Sequence, residues 1–108
     1  MPRWTEEMGA FALDREGNIT LASPLAESIA QVDLRTLVSQ HYLAFIGEAD
    51  ASEAQAVFEK ALGGQSLEGT REIVLGDGAH VLVGYTVQPD RRTDGEIVGV
   101  TGTVWMEK

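Results

Sequence analysis

ALDREGNITLASPLA, residues 12–26, holds a strand reversal and a helix start side by side. Apolar alternations at Ala10 to Leu13 and at Ile19 to Ala22 flank a polar knot of Asp14, Arg15, Glu16, Gly17 and Asn18. Gly17 and Asn18 are residue types that readily take positive φ, as a tight reversal between strands demands. Phe11, Leu13, Ile19 and Leu21 recur every second residue, the period of a half-buried strand pair. Ser23 stands where a helix needs an N-cap, and Pro24 takes the first helical position, where its missing N–H costs nothing. Leu25, Ile29 and Val32 supply that helix with an apolar edge.

Beyond it, DLRTLVSQHYLAFI, residues 33–46, reads as two short helical turns. Asp33 is an N-cap, Leu34, Leu37 and Val38 share a face, and Tyr42, Phe45 and Ile46 form a second apolar cluster. DASEAQAVFEKALGG, residues 50–64, is the strongest helix. Asp50 and Glu53 have the spacing of a capping box, and Ala54, Val57, Phe58, Ala61 and Leu62 make one continuous apolar face. Gly63-Gly64 ends it by admitting a left-handed residue.

The period then changes to two. TREIVL (70–75) reads as a strand, Asp77-Gly78 as a hairpin turn and HVLVGYTVQ (80–88) as the partner strand. A polar connection over 89–95 leads to a last strand, EIVGVTGTVWM (96–106). Gly99 and Gly102 weaken that strand and so point to a close neighbour. Two strands, a helical block and three strands make an α+β fold, a five-stranded antiparallel sheet with helices on one face. The first and last strands are expected to pair near the centre, where the most apolar segments are buried.

At 108 residues the chain suits one domain, and 44% apolar residues suffice for a core. No apolar run approaches the roughly 20 residues that cross a bilayer, and MPRWTEEM lacks the pattern of a secretory signal. Zero cysteines exclude disulfides, thiolate metal sites and cysteine nucleophiles, and fit a cytoplasmic chain. A net charge of −9, from 17 acidic against 8 basic residues, repels nucleic acid and anionic membranes, so neither is an expected partner.

GAFALDREGNITLASPLAE, DLRTLV, FIGEADASEAQAVFEKALGG, DGAHVLVGYTVQPD and DGEIVGVTGTV follow one another in the order and spacing of the PAS family, which the chain resembles from Gly9 to about Val104. No single piece is specific; their succession carries the resemblance. It implies a PAS-like domain over 9–106 preceded by an N-terminal segment, 1–8. Ser23-Pro24 replaces the frequent Asn-Pro, and Gln31 and Ser39 stand where glycines are common. The family's D-I-T ending, which leads into a signalling coiled coil, is replaced by VWMEK, residues 104–108. The implied function is a sensory, regulatory domain of a signal-transduction protein, for instance a two-component system. It would bind a small ligand or a partner and control an effector, such as a histidine kinase, that is absent from this chain.

A PAS-like sheet cups a pocket. Alternation from Pro89 turns Val83, Tyr85 and Val87 inward, together with Ile73 and Leu75, and on the last strand Gly99, Thr101 and Thr103. The favoured reading of these side chains is that they simply fill the core; the functional alternative is a small apolar cavity for a small apolar ligand, with Tyr85 and Thr101 as polar handles. Flavin-binding light sensors of the family carry G-x-N-C-R-F-L-Q where this chain has SQHYLAFI, 39–46, so the cysteinyl adduct cannot form here. His41 takes the place of that cysteine and is the candidate ligand contact; as a lone histidine it argues more for a hydrogen-bonded role than for haem. No histidine and carboxylate pair has metal-ligand spacing. A homodimer is expected through the outer sheet face, using Leu82, Gly84, Val98, Val100 and Val104, with Trp4 from the N-terminal segment. The competing readings are a small α+β-cone enzyme of isomerase or dehydratase type, using His41 and Tyr85, and a ligand-free interaction domain.

Overall fold

A computed structural model describes residues 8–30, 33–75 and 77–107. In chain order it contains β1 (Met8–Asp14), β2 (Ile19–Ala22), α1 (Pro24–Ala30), α2 (Leu34–Leu37), 3-10 turns at Tyr42–Phe45 and Glu48–Asp50, α3 (Ala51–Leu62), β3 (Leu67–Val74), β4 (His80–Arg91) and β5 (Ile97–Met106). The five strands are antiparallel in the order β2-β1-β5-β4-β3, so the first and last strands are neighbours and β5 is central. Trp4, Gln31 and Val32 lie outside the described residues.

Local chemistry explains most boundaries. Gly17 turns at φ +93°, and the Asp14 carboxylate accepts from the N–H groups of Glu16 and Asn18 at 3.0 and 2.9 Å. Ser23 Oγ accepts from Ala26 N and also from Ala10 N at 2.9 Å, so one hydroxyl caps α1 and ties it to β1. Asp33 caps α2 through Thr36 N at 2.7 Å. The capping box at Asp50 and Glu53 does not form, because a 3-10 turn runs straight into α3 and leaves Asp50 helical, with no side-chain cap bond. Glu53 reaches across to Arg71 instead.

β1 and β2 pair through a bulge between Ala12 and Leu13, so that Leu13 faces Ile19 while Leu21 faces Ala12. The extra residue inverts the alternation. Ala22 therefore goes inside, and Leu21, expected inside, is 57% exposed.

The phase of β5 is likewise opposite to the expectation. Leu13 pairs with Val100 and Tyr85 with Val104, which puts both valines on the inner face beneath the helices. Val100 is fully buried. Thr101 pairs with Ala12 and Gln88 and Thr103 with Thr86, all outward, and the two hydroxyls of Thr86 and Thr103 meet at 2.6 Å. The branched apolar chains take the covered side, and the threonines take the side where their hydroxyls find partners. Val98 is half-buried beside the bulge that lets Asp90 face Gly99 and Arg91 face Ile97. The close neighbours of the two β5 glycines are real: a Cβ at Gly99 would run into the Leu13 carbonyl, and one at Gly102 into the Thr86 carbonyl and the Phe11 ring.

Candidate functional site

α1 packs on β1 and α3 crosses β4 and β5, but the two layers do not close fully. Between them lies a cavity of about 180 Å³ with an almost wholly apolar lining. Phe11, Leu13, Val83, Val87, Val100 and Val104 form its floor, and α3 roofs it with Ala54, Val57 and Phe58. A space of this size, comparable with the roughly 150 Å³ apolar cavities that hold benzene, is large enough for one small organic molecule.

The exceptions to that apolar lining are an arginine and two tyrosines. Arg71 on β3 faces Val83 across the strands and therefore points inward, its side chain only 7% exposed. One of its nitrogens, Nη2, lies 3.3 Å from Glu53 Oε1 and 3.5 Å from the Tyr85 hydroxyl, and the guanidinium carbon stands 5.5 Å from the Tyr85 ring centroid. The Tyr85 ring lies along β3 because Gly69, its cross-strand partner, has no side chain; a Cβ there would come within 3.1 Å of the hydroxyl. Tyr42 meets Phe58 with tilted rings, 5.1 Å between centroids. Burial pushes the Tyr42 hydroxyl above the usual tyrosine range, with Glu59 adding to the shift and Arg71 opposing it. At neutral pH it is a neutral donor.

Of the residues expected in the pocket, Ile73, Val83 and Tyr85 line the cavity, and His41, Leu75 and Thr101 do not. Leu75 is buried at the β3–β4 turn, where its N–H bonds Ala79 O at 2.8 Å. Thr101 is on the other face of the sheet, for the reason given above. His41 is turned to the β1–β2 hairpin: Nδ1 accepts from Leu43 N at 3.1 Å, so Nε2 carries the proton and donates to Glu16 O at 2.8 Å. Its lone pair is spent on a backbone N–H, which leaves none for an iron in this arrangement. Val100 and Val104, selected for the outer face, belong to the cavity wall. On that outer face Leu82 is 51% exposed, and Trp105 covers Gly84 and donates to Glu107 Oε2 at 2.6 Å.

Arg71 is a lining residue that the inward set named from the sequence leaves out. It shares parity with Ile73 and Leu75, and a charge at an inward position was the available signal. Chemically, the described lining offers a fixed cation, two hydroxyl donors and apolar walls, with neither carboxylate nor imidazole.

A family model described as the PAS fold matches residues 5–104. No curated protein matches the chain. Among solved structures it is similar to the PAS domain of a protein from Colwellia psychrerythraea, at 15% identity and a TM-score of 0.86, covering 93% of this chain and 86% of that one. A domain of a sensory box sensor histidine kinase/response regulator from Geobacter sulfurreducens matches at 19% identity and a TM-score of 0.76, covering 91% and 82%. Drosophila melanogaster Cycle PAS-B, with bound ethylene glycol, matches at 7% identity and a TM-score of 0.82, covering 92% and 99%. At these identities the likeness is one of fold.

Proposed function

This chain belongs to the PAS family, a family of generally sensory, non-catalytic domains, and on that premise we propose that it is a ligand-responsive regulatory module. A small, mainly apolar molecule occupies the cavity between sheet and helices, and its presence biases an effector outside this chain. The observation that carries this reading is the hollow itself, about 180 Å³ between sheet and helices with an almost wholly apolar lining. A filled interaction domain would have no reason to keep it, since an unfilled cavity costs stability in proportion to its volume. The Geobacter sulfurreducens neighbour is a domain of a sensor histidine kinase/response regulator, which supports an effector of two-component type. The absence of cysteine supports a cytoplasmic setting. Against the enzyme reading stands the lining, which among the described residues holds no group able to act as a base near pH 7.

The homodimer is proposed through the outer face around Leu82 and Trp105, without Val100 or Val104. Titration of the 108-residue chain with small apolar fragments, followed by amide NMR, tests the ligand reading. Shifts centred on Val83, Tyr85 and Val100 are expected; no saturable shift from any fragment overturns it. Light scattering tests the dimer, and a monomer at high micromolar concentration removes that part.

A further inference from the structure

We propose that the cavity receives a small carboxylic acid with an apolar body, its carboxylate held by Arg71 and the Tyr85 hydroxyl. This rests on the ligand reading above and adds the chemistry of the head group. A guanidinium carries five N–H donors in a fork that suits a carboxylate. Among the described residues both hydrogen bonds of Arg71, to Glu53 and to Tyr85, start from the single atom Nη2, at 3.3 and 3.5 Å, and both are long for charge-assisted hydrogen bonds. The group is nevertheless withdrawn from water, at 7% side-chain exposure, while its acidic partner Glu53 stands 74% exposed. A buried cation with so loose an exposed counter-ion is incompletely compensated. A carboxylate entering the cavity completes the fork, takes a hydrogen bond from Tyr85 and releases Glu53 to solvent.

The walls set the rest of the molecule. Phe11, Phe58 and five valines offer no further charge, so the body is apolar. The volume limits it to about one six-membered ring and a short acid arm, on the order of ten non-hydrogen atoms. Because Glu53 is on α3 and Arg71 on β3, exchanging one carboxylate for the other unties the helix from the sheet edge. That is a change a downstream effector could read.

The test uses three probes that share a benzyl body, phenylacetate, phenylacetamide and ethylbenzene, titrated at neutral pH into the 108-residue chain. Phenylacetate is expected to bind about tenfold tighter than phenylacetamide. Arg71→Met removes that preference and keeps ethylbenzene binding. Glu53→Gln, at an exposed position, takes away the internal competitor and tightens phenylacetate several-fold with ethylbenzene unchanged. If ethylbenzene binds but phenylacetate shows no advantage over the amide, the carboxylate proposal is overturned and the ligand reading stands. If none of the three binds, the ligand reading falls and takes the proposal with it. Should Arg71→Met not fold, Glu53→Gln decides: equal or weaker phenylacetate binding overturns the assignment.

Discussion

The cavity has two dissimilar ends. At the hairpin end the chain is stitched by backbone bonds: Ile19 N to Gln40 O at 2.8 Å, Ser39 N to Ile19 O at 2.9 Å and Tyr42 N to Gly17 O at 3.0 Å. His41 adds both ring nitrogens to the seam. At the other end α3 meets β3 chiefly through side chains, and the link that bears charge is the loose pair of Glu53 and Arg71. Backbone seams resist sliding because each unmade bond leaves a polar group stranded. Side-chain contacts across a hollow can be exchanged for contacts with a guest. The hairpin end is therefore the anchor, and the α3–β3 end is where occupancy is felt.

The largest effect is expected where the anchor is tightest. Gly17→Ala places a Cβ 2.5 Å from His41 Nε2 at a φ of +93°, so strain and collision act together. A loss of about 3 kcal/mol is expected in denaturant unfolding. A loss below about 1 kcal/mol would mean that the seam gives way easily and the contrast between the ends is false. His41→Ala removes two hydrogen bonds and a ring stacked 4.7 Å from Tyr42. About 2 kcal/mol should go with them. Affinity for ethylbenzene should stay as it was, since His41 is outside the cavity lining; weakened binding would return His41 to the pocket.

Much of the anchor was legible before the fold was known, because its signals are local. Ser23-Pro24, Asp33 and the Gly17-Asn18 turn each act within a few residues, and each cap or turn forms, with Gly17 and not Asn18 taking the positive φ. What failed depends on neighbours distant in sequence. The phase of β5 is fixed by pairing with β1 and β4, so Val100 and Val104 could not be assigned to a face from β5 alone. The bulge that turns Leu21 outward is a property of two strands together. Asp50 and Glu53 have capping-box spacing, yet the preceding 3-10 turn and Arg71, on another element, decide otherwise. Arg71 itself was readable from parity with Ile73; its burial against Tyr85 and a missing side chain at Gly69 was not.

A smaller effect tests the anchor through pH. Burial raises the Asp14 carboxyl, but hydrogen bonds from the Asn18 backbone and side chain, and from Glu16 and Gly17, outweigh it and hold the pKa below the ordinary value. A carboxylate depressed in the folded state stabilises above its unfolded pKa, near 4, and that contribution fades as pH falls through the folded value. Asp14→Asn should cost about 1 kcal/mol at pH 7 once solvent screening is allowed for. The gap to the unaltered chain should close as pH drops from about 4 to 2. A gap that stays constant over that range would show that the turn is held by shape rather than by charge.

The smallest change in stability should come at the hollow end, and one substitution made twice on α3 exposes it. Ala54 and Ala61 lie on the same helix face, 6% and 0% exposed, but Ala54 borders the cavity whereas Ala61 is packed in the core cluster away from it. Ala61→Leu has to displace its neighbours and should cost about 2 kcal/mol. Ala54→Leu extends into empty space, where the gain from filling offsets the loss of side-chain freedom. Its unfolding free energy should stay within about 0.5 kcal/mol of the unaltered chain. The same leucine should abolish ethylbenzene binding, because the guest and the new side chain claim one volume. Equal, large losses at both positions would mean that the core is uniformly tight, and the difference between the two ends would then carry no information about signalling.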